Sequence, residues 1–199
     1  MKALIVVDVQ NDFCPEGRLA VKDGDQIVEP INQLIQNEKY DLIVATLDWH
    51  PQNHKSFASN NNAQVFSMGT LNGQPQVMWP DHCVQNSAGA QLHPKLNTNQ
   101  IRYFITKGTN PEVDSYSGFF DNDKKTATGL NDILLKIGIK EVDVVGLALD
   151  YCVKATAEDA KKLGYKTNVL VDMTRAVNMN AGDDKKAVAD LVAQGIVVK

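Results

Sequence analysis

Six short runs rich in Val, Ile and Leu recur along the chain: KALIVVDV from Lys2, DLIVATLD from Asp41, IRYFITK from Ile101, EVDVVGLAL from Glu141, KTNVLVDM from Lys166 and GIVVK from Gly195. Each has the length of a strand buried on both faces, and helical patterns lie between most of them. Residues 26–37 set Ile27, Ile31, Leu34 and Ile35 on one face, with Pro30 early enough to fall in the first turn. Residues 128–137 repeat the pattern with Leu130, Ile133, Leu134 and Ile137, and Gly138 supplies a stop. A third helix fits 152–163 and a fourth 184–193. Strands alternating with helices imply right-handed βαβ crossovers. The expected fold is therefore α/β, a doubly wound six-stranded parallel sheet flanked by helices in a three-layer, Rossmann-like sandwich.

The interval from Asp48 to about Gln100 breaks this rhythm. It is long, rich in Asn, Gln, Gly and Pro, and without a convincing helix. A loop of that length inside a compact domain is either disordered or functional. Its contents favour function, since three of the four histidines and both tryptophans fall in DWHPQNH and MWPDHC. The formal net charge of −4 argues against a nucleic-acid partner, which needs a basic stripe. The opening MKALIVV is broken by Asp8, too soon for a signal-peptide core or a membrane span. Cys14, Cys83 and Cys152 make an odd number with no disulfide-type spacing, so the expected compartment is the reducing cytoplasm.

Strand ends concentrate the reactive side chains. The first run ends at Asp8, the second at Asp48 and His50, the third at Lys107 and the fourth at Asp150 and Cys152. In open parallel sheets ligands bind beyond the carboxyl ends of the strands, near the topological switch point. A cysteine is usually a packed core thiol, but four strands delivering ionisable groups to one edge make Cys152 the candidate nucleophile. In the first turn of a helix its thiolate would be stabilised by N–H groups and the helix dipole, and a lysine would stabilise it further. Those N–H groups also suit an oxyanion hole. Asp8, partly desolvated at a strand end, suits proton transfer. Lys107 reads either as a catalytic charge or as a surface lysine. Cys14 and Cys83 rank below Cys152: Cys14 lies in a loop with no evident helix terminus, and Cys83 directly follows His82, where it could be a soft metal ligand although adjacent residues seldom point the same way.

Asp48 and His50 form a DxH pair whose side chains project to one side of an extended segment. His82 from WPDHC supplies a third ligand, leaving open positions for water or substrate as in a catalytic metal site. His54 reads as a supporting residue and His93 as a turn residue. Asp81 and Asp114 have turn and capping explanations, and Asp150 is read as a helix cap.

The stretches VDVQNDF, DWHPQNHKSF, WPDHCVQ, TKGTNPEVDSYSGFFD and VVGLALDYCVKATA, in that order across nearly the whole chain, together resemble the nicotinamidase (pyrazinamidase) family of isochorismatase-like cysteine hydrolases. The resemblance implies a catalytic triad of Asp8, Lys107 and Cys152 that hydrolyses nicotinamide, and usually pyrazinamide, in NAD salvage. It implies one divalent metal on Asp48, His50 and His82, with zinc ahead of iron and manganese. It places Phe13, Leu19, Trp79 and Tyr151 around a small aromatic pocket. It also puts a cis peptide before Ala148, whose N–H joins that of Cys152 in the oxyanion hole. Residues 1–199 are then one isochorismatase-like hydrolase domain with a metal-binding loop insertion at about 48–100, and a homo-oligomer is left open. The rivals are a related cysteine amidase or isochorismatase on the same fold and a non-catalytic nucleotide- or flavin-binding module. The last is disfavoured because no strand is followed by GxGxxG or a P-loop.

Overall fold

Each of the six apolar runs becomes a strand of one sheet. In the computed structural model, which describes residues 1–199, the elements in chain order are β1 (Lys2–Val7), α1 (Val28–Asn37), β2 (Leu42–Asp48), β3 (Met68–Leu71), β4 (Gln74–Val77), β5 (Tyr103–Lys107), α2 (Leu130–Ile137), β6 (Glu141–Leu147), α3 (Lys154–Lys162), β7 (Lys166–Arg175), α4 (Asp183–Ala193) and β8 (Val197–Val198). The central sheet runs β5-β2-β1-β6-β7-β8 with every pair parallel. From β1 the chain winds one way through β2 to β5 and then the other way through β6 to β8. The switch point thus lies between β1 and β6.

Alternate residues of β1 feed two cores. Ala3, Ile5 and Val7 pack with Leu130, Leu134, Ala157 and Leu191 from α2, α3 and α4, while Leu4 and Val6 pack with Ile31 and Ile35 from α1. This three-layer arrangement is the one expected from the alternation of strand and helix patterns, with every residue of β2 buried. Gly138, in the left-handed region at φ 85, ends α2. No helix is long and apolar enough to cross a membrane.

Two local features differ from expectation. The long interval contains a hairpin, β3 paired antiparallel with β4. Asn72 and Gly73 form its two-residue turn with φ of 50 and 74, the left-handed pair of a type I′ turn. The third helix also begins later than expected: Leu149–Val153 form a single π-type turn in which the Val153 N–H donates to the Ala148 carbonyl at 3.0 Å, and α3 starts only at Lys154. Gly146, just upstream at φ 114, lets β6 close against β1. A Cβ there would lie 2.7 Å from the Val7 nitrogen and nearer still to the Val7 carbonyl oxygen.

Candidate active site

At the carboxyl edge of the sheet, β1, β5 and the turn after β6 bring Asp8, Lys107 and Cys152 together, with relative exposures of 0%, 2% and 5%. Lys107 Nζ stands 2.9 Å from Asp8 Oδ2 and 3.5 Å from Cys152 Sγ, and donates to the Ser115 carbonyl at 2.9 Å and to Asp48 Oδ1. Thr46 Oγ1 donates to Asp8 Oδ1 at 2.6 Å. Asp8 Oδ2 is fully buried and forms its ion pair with the same lysine. Carboxylate oxygens of Asp8 and Asp48 and the Cys152 sulfur lie within 4.8 Å of one another. The site therefore presents a thiol, a cation and a carboxylate at one buried point.

Burial governs the electrostatics. It pushes the Cys152 thiol well above its ordinary range, against the opposing pull of Lys107. It likewise raises the Asp8 carboxyl, which Lys107 lowers and Asp48 raises further. Burial alone would discharge Lys107, but the carboxylates of Asp48 and Asp8 reverse this and hold it well above its usual value. Burial thus favours the Cys152 thiol and Lys107 its thiolate. Cys152 lies inside the π-type turn rather than in the first turn of a regular helix, where the sequence put it.

The residues of the candidate metal centre converge on one oxygen. His50 Nε2 and His82 Nε2 lie 3.5 and 3.6 Å from Asp48 Oδ2. The other ring nitrogens are occupied, His50 Nδ1 by the Gly108 carbonyl at 2.8 Å and His82 Nδ1 by the Pro80 carbonyl at 2.7 Å. With both Nδ1 atoms donating to backbone, both Nε2 lone pairs face the carboxylate, the arrangement in which histidines ligate a metal. The three candidate ligand atoms also lie within 4.8 Å of one another. This donor set fits a divalent metal. Gln10, which the sequence reading passed over, fixes the carboxylate-bearing backbone: its side chain accepts from the Asp48 N–H and donates to the Asp48 and Ala90 carbonyls, all at 2.8 Å.

His54 packs against the His50 ring, 4.3 Å between centroids, and accepts the Ser56 N–H at 3.1 Å. Burial and the neighbouring His50 push its imidazole down to about 4. Cys14 and Cys83 are buried as well, and burial raises both thiols, Cys14 to about 11. His93 sits in a turn, its Nδ1 accepting the Lys95 N–H at 3.3 Å. Asp81 is held by Ser59 at 2.5 Å.

A cavity opens beside Cys152. Phe13, Leu19, Trp79, Ala148 and Tyr151 line it, with Asp48 and His82 on its polar side. Trp79 and Tyr151 meet edge to face at 5.0 Å. The Leu147–Ala148 peptide is cis, and the Ala148 N–H donates to no backbone or side-chain acceptor. Three further lining residues carried no signal in the sequence: Tyr116, Asp114 and Val177. Tyr116 receives the Trp79 indole N–H at 3.2 Å. Asp114, read as a turn acid, is buried instead and accepts from Gln76 at 2.8 Å. Asp150 is not a helix cap either; its two oxygens accept the Val177 and Asn178 N–H groups, each at 2.9 Å.

Comparison with known proteins places this geometry in context. The model of the isochorismatase domain matches residues 2–198. The chain is 50% identical over 196 residues to a nicotinamidase of Escherichia coli, covering 98% of this chain and 92% of that one. It superposes on a nicotinamidase/pyrazinamidase of Acinetobacter baumanii with a TM-score of 0.95 at 44% identity, over 99% of this chain and 94% of that one. A pyrazinamidase of Pyrococcus horikoshii, solved in complex with zinc, superposes with a TM-score of 0.82 at 38% identity, over 100% and 98%.

Proposed function

The chain belongs to the isochorismatase family, and from that premise we propose that it is a nicotinamidase, hydrolysing nicotinamide to nicotinate and ammonia through a thioester on Cys152. The observation that carries the reading is the buried meeting of Asp8, Lys107 and Cys152 at the mouth of an aromatic cavity, in a chain half identical to a nicotinamidase. Residues 1–199 act as one hydrolase domain, with the loop at 48–100 contributing the metal residues. The enzyme works in the cytoplasm and takes pyrazinamide as a second substrate.

Chemistry follows from the protonation states. Asp8, ion-paired with Lys107 and close to the sulfur, takes the Cys152 proton as the sulfur attacks the amide carbon. Lys107 remains charged throughout and offsets the negative charge that builds on sulfur and on the carboxylate. The N–H groups of Ala148 and Cys152 receive the oxyanion. As the tetrahedral intermediate collapses, the C–N bond breaks and Asp8 returns the proton to the leaving ammonia. Water then adds to the thioester carbonyl, with Asp8 again as base, and the C–S bond breaks to release nicotinate and the thiol. Phe13, Leu19, Trp79 and Tyr151 hold the ring by edge and face contacts.

Asp48, His50 and His82 would hold the metal. We assign zinc on the strength of the zinc-bound pyrazinamidase relative and of a mixed carboxylate–imidazole donor set that also admits iron and manganese. When bound, the ion supplies Lewis-acid polarisation of a ligand nitrogen or water. The direct test is ammonia release from nicotinamide by the purified protein and by Cys152→Ala. Loss of turnover with an unchanged circular dichroism spectrum is expected. Full activity in the variant would remove Cys152 from the reaction.

A further inference from the structure

Most of the cavity wall is buried: Phe13, Leu19, Trp79, His82, Asp114, Ala148 and Cys152 are all less than 9% exposed. Only Tyr116, Tyr151 and Val177 reach toward solvent. The two tyrosines are fixed by packing on each other at 5.5 Å and on Trp79. Val177 depends on the loop between β7 and α4, and that loop is held through side chains. Residues 176–179 take part in no backbone–backbone hydrogen bond. Their polar anchors are the two bonds from Val177 and Asn178 to the Asp150 carboxylate, the Tyr151 hydroxyl against Met179 Sδ at 3.1 Å, and a local bond from the Asp184 N–H to Asn178 Oδ1, while Ala176, Val177 and Met179 pack against the two cores. On the far side Ala176 and Asn178 line an open cleft with Lys22 and Arg175. A single strand of loop thus separates the cavity from solvent.

We propose that Asp150 is a specificity-determining positioning residue, which holds this loop as the outer wall of the ring cavity and so sets which amides enter. Both anchors between loop and site come from Asp150 and Tyr151, on the same π-type turn as Cys152. The wall is therefore indexed directly to the nucleophile. The neighbouring cations do not compete for the carboxylate, because Lys154 and Lys186 both pair with Asp190, at 2.6 and 2.7 Å. Charge-assisted bonds from two successive backbone N–H groups fix direction as well as distance. Without them, only apolar packing holds Val177, and the cavity wall loosens toward the outer cleft.

The proposal rests on the nicotinamidase reading only for the identity of the amide, and the first arm of its test does not require turnover. Cys152 is alkylated with iodoacetamide and with the bulky pyrenylmaleimide, and labelling is quantified at that residue by mass spectrometry. A change in thiol reactivity moves both rates alike, whereas an opened wall favours the bulky reagent. In Asp150→Ala the bulky-to-small ratio is expected to rise about tenfold, in isosteric Asp150→Asn by less, and Asp150→Glu should return it toward wild type. In the second arm, KM for nicotinamide rises about fivefold in Asp150→Ala while kcat stays within about twofold, and quinoline-3-carboxamide gains relative to nicotinamide. An unchanged labelling ratio in folded Asp150→Asn, or a fall in kcat with KM constant, overturns the proposal. Absence of ammonia release by the wild type would overturn the nicotinamidase reading and leave the labelling result to decide on the loop.

Discussion

Gly108→Ala tests whether the metal histidine is held in place by the backbone behind it. Gly108 follows Lys107, sits at φ 64, and accepts the His50 Nδ1–H through its carbonyl. A Cβ on it would lie 2.6 Å from His50 Nδ1 and closer still to Cε1, where an ordinary contact begins near 3.4 Å. The imidazole must therefore retreat by about 1 Å, a shift that removes Nε2 from its convergence with His82 on Asp48 Oδ2. Disturbing the partner that orients a metal histidine weakens metal affinity roughly 10- to 100-fold. The left-handed backbone adds about 1–2 kcal/mol of strain on its own. Gly164→Ala separates the two effects: Gly164 has φ 93, and a Cβ there meets nothing within 4 Å. Both variants should melt several degrees lower, but only Gly108→Ala should release metal to a chelator in a competition titration. Equal metal affinity in the two variants would refute the claim that backbone contact positions His50.

Lys107→Met removes the only cation between two buried carboxylates, Asp8 and Asp48, and should cost roughly 3–5 kcal/mol of stability at neutral pH in denaturant titration. The deficit should shrink as the pH falls and these carboxylates take up protons, so a pH-independent loss would count against a charge origin. Asp8 must be ionised to accept the thiol proton, and its pKa is raised from 3.8, chiefly by burial. The acid limb of the kcat/KM profile should therefore lie above the ordinary carboxylate range, with activity lost as the pH drops through it. Asp8→Asn should eliminate turnover by removing the base; a variant retaining the wild-type profile would place the base elsewhere.

Legibility in the sequence followed the range of the interactions. The strands were readable because each is buried on both faces and its composition reflects that locally, and the strand ends then located Asp8, Asp48, Lys107 and Cys152 at one edge. The hairpin at Leu71–Gln74 carried an Asn-Gly signal, but the flanking MGTL and QPQV contain a glycine and a proline and lack the alternation that marks strands. Asp150 was misread for a different reason. Its acceptors lie beside a helix start, where aspartate normally caps, yet its partners are 27 and 28 residues away and appear only once β7 has returned to the site. The same holds for Asp114 with Gln76, 38 residues apart, and for Gln10 with the Asp48 backbone. The π-type turn was invisible because no residue type marks an i→i+5 bond.

Asp48 shows why the metal residues and the triad form one electrostatic unit. It pairs in register with Lys107 across β2 and β5, so the two side chains leave neighbouring strands at the same level. Asp48 Oδ1 takes the lysine, while Oδ2 faces the two histidines. The carboxylate thus serves the lysine with one oxygen and faces the candidate metal residues with the other. A divalent ion held by Asp48, His50 and His82 would draw on the same carboxylate that neutralises Lys107. Lys107 in turn faces Asp8 and the Cys152 sulfur, 2.9 and 3.5 Å away. Burial raises the thiol and Lys107 opposes it, so Asp48 joins the candidate metal residues to the candidate nucleophile. The DxH pair, met in the sequence as a ligand motif, also bears on the nucleophile, because β-sheet register places its carboxylate next to Lys107.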